Sequence, residues 1–175
     1  MPLPFFKYHP DPVSTGSIKP SADVCACCRQ ARGYVYAGSF YTAEEKPALC
    51  PWCIASGDAA KKYDGLFSDD YPLREARVSD DVIREVCERT PGYNSWQQEV
   101  WLTHCDDACE FHGDAEPAEL RAIEWTRAND LLQDERMDER KWADFTQNYT
   151  KGGDPAVYKF VCRHCRIVLY GVDYT

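Results

Sequence analysis

Hydrophobic and polar positions along the chain divide it into β-like stretches near both ends and helical periodicity between them. Tyr34-Val35-Tyr36-Ala37-Gly38-Ser39-Phe40-Tyr41 is rich in aromatic and β-branched residues and reads as strand, with Gly38 marking a bulge or bend. A helix is predicted from Trp52 towards Phe67, followed by a connector over 68–78. Ser79 is a plausible N-cap for Asp80-Asp81-Val82-Ile83-Arg84-Glu85-Val86-Cys87, where the acidic first turn suits the helix dipole. Val82, Ile83, Val86 and Cys87 share its apolar face, and Thr90-Pro91-Gly92 ends it. Residues 96–103 read as a strand, 117–133 as a helix with Leu120, Ile123 and Leu131 at helical spacing, and 138–148 as another helix. Two final strands, 157–161 and 167–172, flank Cys162-Arg163-His164-Cys165.

Elements of both kinds, unevenly distributed, predict an α+β protein. A length of 175 residues suits a single domain. Within it, a lobe over 25–53 and a second part over 104–172 are each expected to be held by metal. Aromatics make up 13% of the residues, enough for a sizeable core, so intrinsic disorder is excluded for most of the chain. Residues 1–24 contain five prolines and read as an extended arm, with Phe5, Phe6 and Tyr8 to lay it against the body.

Twenty basic residues face 29 acidic ones, a net charge of −9. Phosphate contact needs lysine and arginine, so direct nucleic-acid binding is not expected. The opening MPLPFFKYHPDP has neither the basic nor the apolar region of a signal peptide, and no apolar run is long enough for a membrane helix. The expected location is the cytoplasm. In a reducing compartment, ten cysteines point to metal ligation before disulfides.

Cys25-Ala26-Cys27-Cys28 and Cys50-Pro51-Trp52-Cys53 are two C-x-x-C pairs separated by 21 residues. Each such knuckle aims two sulfurs at one tetrahedral ion, and together Cys25, Cys28, Cys50 and Cys53 complete a closed Cys₄ zinc site of the ribbon or treble-clef kind. Cys162 and Cys165 form a third knuckle whose partners must come from elsewhere. The segment His104-Cys105-Asp106-Asp107-Ala108-Cys109-Glu110-Phe111-His112 supplies candidates: Cys105 first, then His104 or Cys109. Two zinc ions are therefore expected. Cys87 reads as core, and His9 and His112 have no evident partner. There is no H-E-x-x-H, phosphate loop, nucleophile elbow or H-x-E, so no catalytic residue is assigned and an enzyme is not expected. A zinc hydrolase using His104, Asp107 and His112 is the remaining enzymatic alternative.

Several of these segments together resemble the bacterial CbrC family. They are Phe6-Lys7-Tyr8-His9-Pro10-Asp11-Pro12, Thr15-Gly16-Ser17-Ile18, Gln30-Ala31-Arg32-Gly33-Tyr34, Leu49-Cys50-Pro51-Trp52-Cys53-Ile54-Ala55, Thr90-Pro91-Gly92-Tyr93, Trp96-Gln97-Gln98-Glu99, His104-Cys105-x-Asp107 and Cys162-x-His164-Cys165. Cys109 and His112 depart from the family pattern, which favours His104 and Cys105 as ligands. The resemblance implies an immunity-type protein, since the founding member is associated with tolerance to a DNase colicin. The implied function is to bind and neutralise a cognate toxin, a nuclease, with charge speeding the encounter. Residues 114–148 match least well, and their acidic Asp130, Asp134, Glu135, Asp138 and Glu139 are the candidate partner contacts. The alternative to immunity is a zinc-binding regulatory or stress-response module acting on another protein.

Overall fold

A computed structural model describes residues 2–43, 45, 47–132 and 138–174. The arm enters through β1 (Ile18–Pro20), which pairs antiparallel with β2 (Tyr34–Tyr36). Strand structure stops at Tyr36, short of the predicted 34–41. The predicted helix over 52–67 is two pieces, α1 (Pro51–Ala55) and α2 (Asp58–Tyr63). Gly57 separates them with φ +78°, a left-handed conformation that favours glycine and ends a helix. The supposed connector contains α3 (Tyr71–Glu75).

Helix α4 (Asp80–Arg89) forms as its sequence predicts: the Ser79 side chain accepts from the Val82 N–H, and Ile83, Val86 and Cys87 are buried. The segment 96–103 is not a strand. Only Thr103–His104 (β3) pairs, with Asp107–Ala108 (β4), while Trp101 is buried and Trp96 and Val100 are exposed. Its apolar residues anchor individually, and no neighbouring strand lies in register. The helix predicted over 117–133 breaks after Arg121 into α5 (Pro117–Arg121) and α6 (Trp125–Leu132), and α7 (Glu139–Asn148) follows.

Strands β5 (Glu110–Asp114), β6 (Ala156–Val161) and β7 (Val168–Asp173) form one antiparallel sheet with β6 in the middle. Alternation along β6 feeds both faces. Tyr158 and Phe160 point into a core with Tyr93, Trp101, Phe111 and α4, where Tyr93 stacks on Phe111 at 4.3 Å. Val157 joins Leu120, Ala128, Trp142 and Tyr170 under the α5–α7 layer. A third core of Phe6, Ile18, Tyr36, Phe40, Leu49, Ile54 and Phe67 surrounds the first cysteine cluster. The arm therefore does lie against the body through Phe6 and Tyr8, but Phe5 does not: it is 78% exposed. The architecture is α+β, with cysteine clusters placed to staple its small β elements.

Candidate metal centres

The first knuckle is a tight turn in which the Arg29 N–H returns to the Cys25 carbonyl at 2.8 Å and Arg29 takes φ +60°. Cys162–Arg166 repeats it, with Arg166 N–H to the Cys162 carbonyl at 3.1 Å and Arg166 at φ +63°. One local sequence, C-x-x-C-R, thus builds one conformation twice. The pair Cys50 and Cys53 is held differently, on the N-cap and first turn of α1, with Pro51 at the start of the helix.

These elements bring Cys25, Cys28, Cys50 and Cys53 together, all four sulfurs within 4.8 Å of one another. Cys25 and Cys53 sulfurs lie 3.9 Å apart, and Cys28 and Cys50 sulfurs 3.8 Å apart. Zn–S bonds of about 2.3 Å in a tetrahedron place sulfurs about 3.8 Å apart, so the cluster has the dimensions of a structural zinc site. Cys25, Cys50 and Cys53 are buried and Cys28 is half-buried. From α2, Lys62 Nζ donates to the carbonyls of Ala26 (2.7 Å) and Cys27 (3.3 Å), bracing the turn.

The split centre gathers His104, Cys105, Cys162 and Cys165, again within 4.8 Å. His104 Nδ1 lies 3.1 Å from Cys105 Sγ and 3.4 Å from Cys165 Sγ. The β3–β4 hairpin makes this possible. Its two-residue loop is Cys105-Asp106, both at positive φ (+53° and +57°), the arrangement of a type I′ turn. Glycine or asparagine normally occupies such positions, so a cysteine held there is backbone strain at a donor site. Cys109, the rival ligand, is not part of the group: it is buried in the apolar core beside Trp101, whose Nε1 donates to the Cys109 carbonyl at 2.9 Å. His112 instead faces Glu110 at 3.3 Å, and His9 is wholly buried, hydrogen-bonded to the Pro91 carbonyl and to Thr15.

In each cluster one thiol is shifted down, towards the thiolate. Burial works against the charge on Cys28 and on Cys162, but backbone N–H groups outweigh it: that of Gln30 brings Cys28 to about 7, and those of Cys165 and His164 bring Cys162 to about 6. Burial raises Cys50 to about 11. Ligation needs deprotonated sulfur, so a bound ion would favour the thiolate at every member of each cluster.

Spacing did not reveal the support around the split centre. Asp107, one residue beyond the hairpin loop, is buried and accepts from Tyr8 Oη (2.6 Å), Arg163 Nη1 (3.0 Å), His164 Nε2 (2.9 Å) and the Ala108 N–H (2.9 Å). One carboxylate thus joins the arm, the hairpin and the final knuckle. No sequence signal links positions 8, 107 and 163, because they meet only through the sheet.

Of the acidic candidates, Asp138 is the N-cap of α7, accepting from the Lys141 N–H at 2.9 Å, and Glu139 is exposed beside it. Asp134, Glu135 and the Asp130 side chain lie outside the described residues. Among the described residues no helix is long and apolar enough to cross a membrane.

Residues 3–174 match a family described as "Uncharacterised protein family (UPF0167)". A UPF0167 protein of Pseudomonas aeruginosa is 51% identical over 99% of this chain and 98% of its own length. One from Mycobacterium bovis is 40% identical over 98% of this chain and 94% of its own. No solved structure matches. Coverage from end to end at these identities makes the chain a member of the UPF0167 family.

Proposed function

We propose that this protein is a zinc-stapled inhibitor that binds and neutralises a basic protein, and that, as the CbrC resemblance implies, the partner is a bacterial nuclease toxin. The observation that carries the reading is that each cluster offers four protein donors within 4.8 Å of one another, those of the first at tetrahedral sulfur separations. Four donors close the coordination shell, so zinc there crosslinks the chain and leaves no position for a reacting water. The chemistry that remains is that of a surface, and a net charge of −9 suits a basic partner, whose encounter it accelerates. Exposed Glu139 and its neighbours in the acidic stretch are candidate contacts. On this reading the protein is not an enzyme.

The test is a pull-down with the product of the neighbouring gene, followed by rescue of a host expressing that product. Capture with rescue is expected. Failure of both removes the reading.

One observation favours the zinc-dependent regulatory module instead. Cys105 and Cys165 are exposed, unlike Cys25, Cys50 and Cys53, so the split centre can exchange its ion with solvent. Partner binding that tracks free zinc at constant fold content selects this second reading.

A further inference from the structure

Strand β5 carries one residue too many for its partner. Phe111 faces Phe160 and Asp114 faces Tyr158, so three steps along β5 match two along β6. Gly113, at φ +85°, takes up the excess as a β-bulge. Regular alternation would put Phe111 and Asp114 on opposite faces of the sheet. Phe160 and Tyr158 share a face, so the bulge brings Phe111 and Asp114 to that same face, and a carboxylate is turned towards the aromatic core.

A cavity of about 280 Å³ lies there, between the N-terminal arm, the bulge and the turn at Lys151. Its floor is Tyr93, Phe111 and Tyr158, all buried. Both tyrosine hydroxyls are engaged by other groups: Tyr93 Oη donates to the Val100 carbonyl at 3.0 Å, and Tyr158 Oη to Asp173 at 3.3 Å. The floor therefore offers rings. The arm closes one side through Thr15. Wholly buried His9 donates from Nδ1 to the Pro91 carbonyl at 2.7 Å, which leaves its Nε2 to accept the Thr15 hydroxyl at 2.6 Å. Thr15 so held packs on the bulge, where a Cβ added to Gly113 would lie 3.2 Å from Thr15 Cγ2.

The polar groups around this floor divide into engaged and unengaged. Ser14 Oγ donates to the Asp11 carbonyl at 3.2 Å, Thr15 to His9, and Lys151 Nζ to Glu116 at 2.5 Å, while His112 faces Glu110 at 3.3 Å. Among the described residues the Asp114 carboxylate has neither a hydrogen bond nor an ion pair, and the side chain of Asn94, exposed on the rim, has no hydrogen bond. Burial raises Asp114 above its ordinary value, with Lys151 opposing and Glu116 reinforcing. A cation seated beside Asp114 would relieve that cost. An anion would meet this carboxylate, and the lysine on the wall is already paired.

We propose that this pocket binds a small amine with an aromatic body, its ammonium on Asp114 and its ring on Tyr93, Phe111 and Tyr158. An ammonium supplies the hydrogen-bond donors that Asp114 lacks, and the ring adds buried area against the aromatic floor. The volume lies at the small end of ligand pockets, which suits a single-ring compound and not a nucleotide. None of the lining residues is a candidate metal ligand. The inference stands apart from toxin neutralisation: it needs no protein partner and assigns no reaction.

The probe is phenethylamine, titrated at neutral pH and constant ionic strength into the full-length, metal-loaded protein and followed by NMR. Backbone shifts should move at residues 111–114 and at Asn94. Phenylethanol, the neutral counterpart, should bind about tenfold more weakly, and phenylacetate more weakly still. Asp114→Asn should weaken the amine about tenfold and leave the affinity for the alcohol unchanged. Lys151→Gln removes a competing cation and should have the opposite effect, tightening the amine. Should Asp114→Asn fail to fold, the ratio of amine to alcohol in the wild type and the gain in Lys151→Gln decide. Four results overturn the proposal: no shift at residues 111–114, equal affinity for amine and alcohol, preference for the acid, or a folded Asp114→Asn protein that holds the amine as tightly as the wild type. No toxin is used, so failure of the rescue experiment and failure of this one are separate results.

Discussion

Asp107→Asn is expected to loosen the split centre without removing a ligand. The substitution preserves volume, and one side-chain oxygen can still accept from Tyr8 and the Ala108 N–H. The other oxygen becomes an amide NH₂ that faces two donors, Arg163 Nη1 and His164 Nε2. A hydrogen bond to a charged group is worth about 1.5–3 kcal/mol. The Arg163 side chain is 27% exposed, so its ion pair belongs at the low end, and that of His164 is 54% exposed, so its bond adds only a few tenths. The two losses together come to roughly 2 kcal/mol, which in a chain of this size lowers the melting temperature by roughly 4–8 °C. The knuckle is also freed from the hairpin, and loss of such an outer support weakens metal binding by about 10–100-fold. Melting curves and competition with a colorimetric chelator measure the two effects side by side. Tyr8→Phe is the comparison: it removes one donor, leaves the Arg163 pair, and should cost about 1 kcal/mol with metal retention unchanged. An Asp107→Asn protein that melts with the wild type and holds both ions equally well against the chelator would refute the reasoning.

Cys105→Ser should reduce bound zinc from two ions to one while the protein stays folded, whereas Cys25→Ser, in the middle of a hydrophobic core, should abolish soluble expression; elemental analysis and circular dichroism check both. Unchanged zinc in the Cys105→Ser protein removes that residue from the ligand set. A chelator should empty the split centre first, since its Cys105 and Cys165 are exposed, and a single release phase for both ions contradicts that order. His9 is neutral in the fold, lowered to about 4 by burial, with the Pro91 carbonyl and Asp11 opposing and His112 reinforcing. Protons then bind the unfolded chain more readily between about pH 6.5 and 4, so stability falls as pH drops through that window, by about 3 kcal/mol in all; urea titrations should show this slope flattening in His9→Gln. Gly92→Ala should destabilise severely, because the added Cβ would meet the Phe67 carbonyl oxygen at 1.9 Å and backbone cannot yield as a side chain can; an unchanged melting temperature contradicts that packing.

The sequence alone determined the elements whose information is local. The C-x-x-C turns recur because sulfur spacing and the residue after each knuckle dictate one backbone shape, and α4 forms because its cap, acidic first turn and apolar face lie within a few residues of one another. The α+β class and the first cluster followed, since both of its pairs carry their geometry with them. Everything that depended on distant partners waited for the tertiary structure. The helix over 117–133 breaks where packing turns the chain, and 96–103 is rich in strand formers with almost no strand to pair with. His104 won over Cys109 as the last donor because the sheet buries one and a strained hairpin presents the other. Asp107 became a clamp because β4 and the final knuckle meet beside the arm.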